Sequence, residues 1–286
     1  MKRTTLALAL LGALAGPLAA QEPASPPPAP APPAPATSQE EPVPDWDPGY
    51  GDRFLQTSSP LANEQGLLQV LFTHRFNQPV NEAGGNNLGG LDSGANILIG
   101  LGWVPVDRLG VELARASAAG DYELAVKYTV LKPTTELPLA LGVRAGMNWL
   151  TKAELEEKTG FFGQALVAVT LGERLTFAAA PTYVSNTPLF EDVWNVPLVL
   201  QLKAGRGFFL TGEYVPRNRD LDGSVGQWSF AIEKALWRHR FAVWVGNSGA
   251  TTVDQVMAAD YGGGVRDSNL RLGFNITRQF ELGKRR

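Results

Sequence analysis

The stretch 121-DYELAVKYTV-130 alternates strictly between large apolar side chains and polar or small ones. A period of two residues predicts a β-strand with one apolar face. That face carries Tyr122, Leu124, Val126, Tyr128 and Val130, and the other face carries Asp121, Glu123, Ala125, Lys127 and Thr129. If this strand crosses a membrane, its polar face must point inward, because Lys127 in lipid would cost about 2 to 4 kcal/mol near the midplane.

The C-terminal stretch repeats this pattern. Leu270, Leu272, Phe274, Ile276 and Phe280 alternate with Arg271, Gly273, Asn275, Thr277 and Gln279, and Arg278 departs from the alternation. Comparable runs predict twelve strands, at 66–76, 92–104, 109–116, 121–130, 137–150, 160–171, 174–185, 194–204, 207–217, 225–235, 238–247 and 268–280. Most of these runs have the length of about 9 to 13 residues that suits a tilted strand crossing a bilayer.

The connections between these strands alternate in length. Short links at 105–108, 132–136, 172–173, 205–206 and 236–237 alternate with mostly longer ones at 77–91, 151–159, 186–193, 218–224 and 248–267, and the short link 117–120 departs from the longer series. Short periplasmic turns and long external loops are typical of outer-membrane barrels. The fold class predicted is therefore all-β: a closed antiparallel transmembrane up-and-down β-barrel of about 12 strands, with both termini in the periplasm.

Composition agrees with export and with an all-β fold. The 286 residues include no cysteine, 31 glycines and 21 prolines, and the net charge of -3 offers no basic surface to nucleic acid. We expect a signal peptide at 1–20, a Pro/Ala-rich periplasmic spacer at 21–44, a lead-in segment at 45–65, the barrel at 66–280 and a C-terminal tail at 281–286. The lead-in segment either enters the barrel mouth or merely leads into the first strand.

Extending the alternation to all strands sorts the remaining side chains. The charged residues expected to line the lumen are Glu112, Glu123, Lys127, Arg144, Lys203, Glu213, Glu233 and Arg271, four acids and four bases. Outward aromatics near strand ends, expected to form two girdles at the lipid interfaces, are Trp103, Trp149, Phe161, Tyr183, Trp194, Tyr214 and Trp228. In the eleventh strand Phe241, Val243 and Val245 compete with Trp244 for the outward face.

Three prolines resist this scheme. Pro138, Pro181 and Pro197 fall within proposed strands. A closed barrel has no unpaired edge to receive them, so each predicts a bulge or a displaced strand boundary.

Residues suited to catalysis are scarce. With two histidines and no cysteine, the sequence predicts no catalytic residue, no metal site and no cofactor. Outer-membrane lipases carry a His and Ser pair on one strand, whereas His74 is followed by Arg75 and Phe76; His239, beside a turn, is expected at the lipid interface. The glycine-rich stretch 84–94 lacks the Lys-Ser/Thr ending of a phosphate loop and the spaced acids of a calcium loop, so we expect a tight loop with positive φ.

Several separate motifs together resemble one known family. They are 52-DRFLQTSSP-60, 72-FTHRF-76, 85-GNN-87 with 94-GAN-96, 181-PTYVS-185, 213-EYVPRN-218, 231-AIEK-234, 247-NSGATT-252 and 272-LGFNI-276. The chain is similar over about 52–280 to the domain-of-unknown-function family 5777 of bacterial outer-membrane β-barrel proteins. The resemblance implies a barrel fold and an outer-membrane location, and it carries over no activity, substrate or catalytic residue.

The leading functional hypothesis is a passive pore or transporter for small solutes. The alternative is a non-conducting structural or surface-interaction barrel with a filled lumen, and a more remote one is an outer-membrane lipid hydrolase. Expected partners are outer-membrane lipid, the barrel-assembly machinery during biogenesis and, for a pore, a small solute; nucleic acid is not expected.

Overall fold

The computed structural model describes residues 49–152, 158–187, 192–218, 225–258, 266 and 268–282. The predicted signal peptide and spacer lie outside these ranges, as do residues 45–48 of the lead-in segment and residues 283–286 of the C-terminal tail. In the described chain the strands are β1 Leu67–Phe76, β2 Ala95–Val106, β3 Leu109–Ala116, β4 Asp121–Leu131, β5 Leu139–Leu150, β6 Thr159–Leu171, β7 Leu175–Ala179, β8 Thr182–Val184, β9 Val193–Asn195, β10 Leu198–Gly205, β11 Phe208–Val215, β12 Gln227–Leu236, β13 His239–Gly246 and β14 Arg271–Glu281.

The strands form one closed antiparallel barrel. Consecutive strands pair except β7 with β8 and β9 with β10, β1 pairs with β14, and the pairing of β5 with β6 completes the wall. β7 and β8 form one span, as do β9 and β10, so the described strands make twelve spans, as the sequence predicted. An even number of spans brings the first and last strands to the same end of the barrel.

The two ends of the barrel differ in their connections. One end carries the short links, including those at Asp107 and Trp237, together with the start of β1 and the end of β14; we call it the turn end. The other end, the loop end, carries the longer connections and a short helix, α1, at Val80–Ala83. A second short helix, α2, spans Val253–Ala258 within the connection from β13 to β14. Among the described residues, no helix has both the length and the apolar character that a membrane crossing requires.

Pro138, Pro181 and Pro197, which the predicted strands included, all lie outside the observed strands. β5 begins at Leu139, so the predicted boundary that included Pro138 was wrong by two residues. Pro181 separates β7 from β8, and Pro197 separates β9 from β10, because proline has no N–H to donate to a ladder. Their carbonyls still accept hydrogen bonds from neighbouring spans, at 2.9 Å from Ala165 N to Pro181 O and 2.9 Å from Ala180 N to Pro197 O. The wall is therefore interrupted without being opened.

The wall separates an apolar outer face from a polar inner face. In β4 exposure alternates along the whole strand, with Leu124 and Val126 47% exposed and Lys127 only 1%. The eleventh span settles the competition left open by the sequence: Trp244 points inward and is fully buried, whereas Phe241 and Val243 point outward. Outward apolar side chains need lipid to cover them, since soluble proteins rarely expose so large an apolar band.

Candidate functional site: a lumen filled from both ends

The lead-in segment enters the lumen from the turn end as a tight hairpin. Arg53 and Ser58 form a bridge, the Phe54 N–H donates to Thr57 O at 2.9 Å, and the Ser59 N–H donates to Asp52 O at 3.0 Å. Such a turn leaves the N–H groups at its tip without partners inside the hairpin. The choice left open by the sequence is thus decided: the segment occupies the barrel rather than merely preceding it.

Glu213 on β11 binds the tip of this hairpin. Its carboxylate accepts hydrogen bonds from the backbone N–H groups of Leu55 at 2.8 Å, Gln56 at 3.0 Å and Thr57 at 3.2 Å. Consecutive backbone N–H groups that converge on one point form an anion-binding concavity. A single wall carboxylate therefore satisfies the tip of the inserted segment.

Other wall residues bind the backbone carbonyls of the lead-in segment. Lys127 donates to Asp52 O at 2.6 Å, Arg240 donates to Gly49 O at 3.0 Å and Asn275 donates to Leu55 O at 3.0 Å. These donors lie on β4, β13 and β14. The segment is thus held by side chains from opposite parts of the wall.

Apolar contacts also hold the hairpin. Tyr50 and Phe54 pack on small wall residues in one buried cluster, and Leu55 packs in another with Ala231, Ala242 and Trp244. Burial raises the pKa of the Tyr50 hydroxyl. Small side chains on the wall leave the space that the inserted aromatic rings fill.

The loop end is filled by a second segment, residues 248–258, which we call the α2 segment. Asn96 on β2 donates from its side-chain amide to Gly249 O at 3.0 Å and to Gln255 Oε1 at 2.9 Å. Met257 packs with Phe162 and Val184 on the wall. This segment was expected to be part of an external loop, and it folds inward because its polar groups find partners on the inner wall.

Acidic wall residues bind the start of helix α2. The Glu123 carboxylate accepts the Val253 N–H at 2.7 Å, and Asp121 accepts hydrogen bonds from Thr252 Oγ1 at 2.5 Å and Gln255 Nε2 at 3.0 Å. Burial, and then the charge of Asp121, raise the pKa of the Asp254 carboxyl well above its usual value. The loop end thus holds a carboxyl pair that favours the protonated form of Asp254.

Four charged wall residues form a connected network between the two segments. Lys127 contacts Glu112 at 3.1 Å, and Arg144 contacts Glu112 at 2.9 Å and Glu123 at 2.5 Å. Glu112 contacts both cations and Glu123 contacts Arg144, so each buried carboxylate has a cationic partner. The network joins the wall beside the lead-in segment to the wall beside helix α2.

The structure places all eight side chains of the predicted lumen set on the inner face: Glu112, Glu123, Lys127, Arg144, Lys203, Glu213, Glu233 and Arg271. Glu233 pairs with Arg240 at 2.7 Å. Lys203 lies near the turn end, half-buried and close to Gly49. The set is therefore brought into one lumen, where most of its members contact an inserted segment or each other.

The predicted girdle residues all point outward but are unevenly divided between the ends. Trp103 lies near the turn end, whereas Trp149, Phe161, Tyr183, Trp194, Tyr214 and Trp228 lie near the loop end. The turn end is completed by aromatics that the sequence scheme did not assign, among them Phe208, which is 48% exposed, and Trp237, which is 85% exposed. The loop end thus carries the denser aromatic band.

The predicted lumen set omitted three charged inward residues, Arg75, Asp121 and Arg240, although the alternation of β4 had already placed Asp121 on the polar face. Arg75 is fully buried on β1, with its guanidinium carbon 4.2 Å from the Trp244 ring centroid, and neither its Nε nor its Nη2 has a hydrogen-bond partner. Asp121 and Arg240 also bind inserted segments. The alternation of each strand places all three inward, so the signal was present for them; nothing in that alternation indicated the inserted segments.

Two small cavities adjoin the lead-in segment. One of about 120 Å³ lies near the turn end and is lined by residues that include Arg53, Glu233 and Arg240, and one of about 30 Å³ is lined by residues that include Gln69 and Glu112. Residues of the lead-in segment line both cavities.

The histidines lie on the outer face. The ring of His74 stacks on that of Phe274 with centroids 5.1 Å apart, and the ring of His239 stacks on that of Phe241 at 5.9 Å. Among the described residues, no group of three or more His, Asp and Glu side chains is arranged to hold a metal ion. In the glycine-rich stretch, Gly84, Gly89 and Gly90 have positive φ, as predicted for a tight loop.

Comparisons with known proteins agree with this architecture. A family model described as a membrane bound beta barrel domain (DUF5777) matches residues 51–280. A search of curated proteins gives no match.

Solved outer-membrane proteins are similar at low identity. An outer-membrane channel from Pseudomonas putida F1 has 13% identity, a TM-score of 0.48 and coverage of 77% of this chain and 97% of that one. The NanC porin has 9% identity, a TM-score of 0.47 and coverage of 75% and 100%. Outer membrane phospholipase A from Escherichia coli has 10% identity, a TM-score of 0.42 and coverage of 76% and 91%.

Proposed function

The chain belongs to the family of membrane bound beta barrel domains whose model matches residues 51–280, and from this premise we propose that it is an outer-membrane conduit for small solutes, closed in this structure by two of its own segments. Both termini and the turn end face the periplasm, and the loop end faces outward. Its partners are outer-membrane lipid, the assembly machinery during biogenesis and a small solute. The proposal assigns no catalytic residue and no cofactor.

The observation that carries this proposal is the polarity of the wall behind the inserted segments. Lys127, Arg144 and Glu213 are each at most 5% exposed, yet all are charged. A lumen filled permanently would gain as much or more stability from apolar residues, since replacement of buried ion pairs by apolar packing is often neutral or stabilising. A charged lining suits a lumen that water enters when the segments leave.

The inserted segments are also held by contacts that water can replace. Glu213, Lys127 and Arg240 bind the lead-in segment by hydrogen bonds to its backbone, and each of these groups would be hydrated in an open lumen. Withdrawal of the hairpin therefore exchanges hydrogen bonds with protein for hydrogen bonds with water. The main cost of opening is the exposure of apolar side chains such as Tyr50 and Leu55.

A reversible cross-link tests the conduit. The chain contains no cysteine, so in the double variant Leu55→Cys and Ala231→Cys, whose positions belong to one buried cluster, only one intramolecular disulfide can form. In planar bilayers we expect openings from the native chain, none from the oxidised double variant, and recovery after reduction. The single variant Ala231→Cys is the matched control and should open under both conditions.

A second candidate, the non-conducting scaffold, is favoured by the filled lumen itself. Two segments with specific partners form a stable interior, and a surface barrel needs no open state. The two candidates separate in the same experiment. Absence of current from the native chain and from the reduced variant, with the barrel folded, would contradict the conduit and support the scaffold.

A lipid hydrolase is the least supported candidate. It would require a nucleophile beside His74, but that ring packs among Phe72, Phe76 and Phe274. An assay of the purified barrel with phospholipid substrate tests this assignment directly.

A further inference from the structure

We propose that the α2 segment is a proton-dependent lid, in which a single proton shared between Asp254 and Asp121 holds helix α2 in the loop end of the lumen. The proposal rests on the conduit function, because release of the lid would be one of the two steps by which the lumen opens. Docking of the lid can be measured without any conduction.

The requirement for a shared proton follows from the number of donors. Thr252 Oγ1 lies 2.5 Å from Asp121 Oδ2 and 2.7 Å from Asp254 Oδ1. A hydroxyl has one proton to donate, so it can bond to only one of two ionised carboxylates. The second short contact is attractive only if a carboxylic acid donates in return. The arrangement therefore requires a proton on one of the two acids.

The remaining neighbours of the pair supply no compensating cation. Asp121 also accepts from Asn148 Nδ2 at 3.2 Å and from Gln255 Nε2 at 3.0 Å, and Asp254 accepts from the Gln255 N–H at 2.7 Å. All these donors are neutral. In the described chain, neither aspartate forms an ion pair, so a second negative charge here would stay uncompensated in a buried position.

Few charged groups face Asp254 from the elements packed against it. β4 contributes Asp121 and Glu123, and β5 contributes Arg144, which is held by Glu123 and Glu112. The parts of β6, β8 and β9 that contact helix α2 present Phe162, Val184 and Val193, which do not titrate. Glu123 is committed to Arg144 and to the Val253 N–H, which leaves the aspartate pair as the proton-binding site.

The sign of the pH effect follows from this pairing. Burial raises the pKa of Asp254 in the docked lid, and the carboxyl recovers its ordinary pKa when the lid is released. Docking is therefore strongest at pH values below the ordinary pKa of Asp254 in the released lid. It weakens as the pH rises from that pKa toward the raised pKa of the docked lid. Between the two values, each pH unit lowers the docking constant by up to about tenfold.

Hydrogen exchange of the full-length barrel in detergent micelles tests this proposal. Amides of residues 253–258 would be followed at about pH 5, 7 and 9, with rates corrected for the intrinsic effect of pH on exchange. For the native chain we expect protection to fall by up to about tenfold per pH unit within the window. For Asp254→Asn we expect protection that does not change with pH, because a carboxamide needs no added proton to donate to Thr252, whose hydroxyl then donates to Asp121.

Two further variants serve as controls. Asp107→Asn neutralises an exposed aspartate in a turn-end link and should keep the native pH dependence. Thr252→Ser keeps the bridging hydroxyl, so this variant should also show the native pH dependence. It keeps the proposal testable if the Asp254 variant fails to fold. Heat-resistant migration on a gel verifies that each variant is folded.

The proposal is overturned if the native lid is equally protected at all three pH values, or if Asp254→Asn retains the native slope. Protection at alkaline pH that returns on addition of calcium, and is absent in Asp254→Asn, would also overturn it and would indicate a cation in place of the proton. Because exchange does not depend on current, failure of this test leaves the conduit proposal intact, and absence of current leaves this test valid.

Discussion

Replacement of Glu213 by glutamine is expected to release the lead-in segment from the lumen. The native carboxylate accepts hydrogen bonds from the backbone N–H groups of Leu55, Gln56 and Thr57. A glutamine amide offers one accepting oxygen and an NH₂ group that opposes these donors. The substitution thus leaves at least one buried N–H without a partner while changing the size of the side chain very little.

The magnitude follows from the hydrogen bonds that the substitution removes. Each hydrogen bond from a backbone N–H to the charged carboxylate contributes about 1.5 to 3 kcal/mol. The amide oxygen of glutamine still accepts from some of these N–H groups, so the net loss is little more than that of one such bond, about 2 to 4 kcal/mol. At 1.4 kcal/mol per factor of ten, the withdrawn population should rise roughly 30- to 700-fold.

Labelling of a cysteine at position 55 measures that population. Leu55 is 2% exposed, so Leu55→Cys in this cysteine-free chain reacts with a water-soluble thiol reagent only when the hairpin withdraws. The labelling rate should rise in Glu213→Gln and stay unchanged in Asp107→Asn, which neutralises a carboxylate outside the lumen. An unchanged rate in Glu213→Gln, with the barrel folded, would refute the idea that Glu213 holds the segment.

Three further outcomes are expected. Gly142→Ala should lower the free energy of unfolding by about 1 to 3 kcal/mol, measured as a lower thermal midpoint, because its Cβ would lie 2.5 Å from Pro60 O. Gly163→Ala, whose Cβ would have no neighbour within 4 Å, is the control. Val126→Cys should react with a lipid-soluble thiol reagent and not with a water-soluble one, and the opposite result would reverse the register of β4. His74→Ala should leave heat-resistant migration unchanged, and a lipase activity abolished by this substitution would contradict the prediction that His74 is not catalytic.

Much of the wall could be predicted because its signal is local. Alternation around Lys127 identifies both faces of β4 from ten consecutive residues, since a strand buried on one side and lipid-covered on the other has a period of two. The same rule places Glu213 and Arg271 inward. It was ambiguous where both faces of a strand are apolar, as beside Trp244, because the inner face there packs on the lead-in segment rather than on water.

The limits of prediction within the strands have an equally local cause. Pro181 and Pro197 occupy positions where the alternation continues on either side, so the sequence alone could not distinguish a bulge from a boundary. The structure shows that these two prolines lie in adjacent spans, where the Ala180 N–H donates to Pro197 O. Each interruption is thus accommodated by the one beside it.

By itself, the sequence determined that the chain forms a membrane-spanning barrel of twelve spans and which face of most strands points inward, because residue alternation and connection length are properties of consecutive residues. Only the tertiary structure decided that two segments of the chain occupy the lumen. The lead-in segment has no strand or helix period, and its main anchor, the bond from Leu55 N to Glu213, joins residues 158 positions apart. Asp121 and Thr252 are separated by 131 positions. Such pairings depend on which wall positions meet across a closed barrel, and no local pattern contains that information.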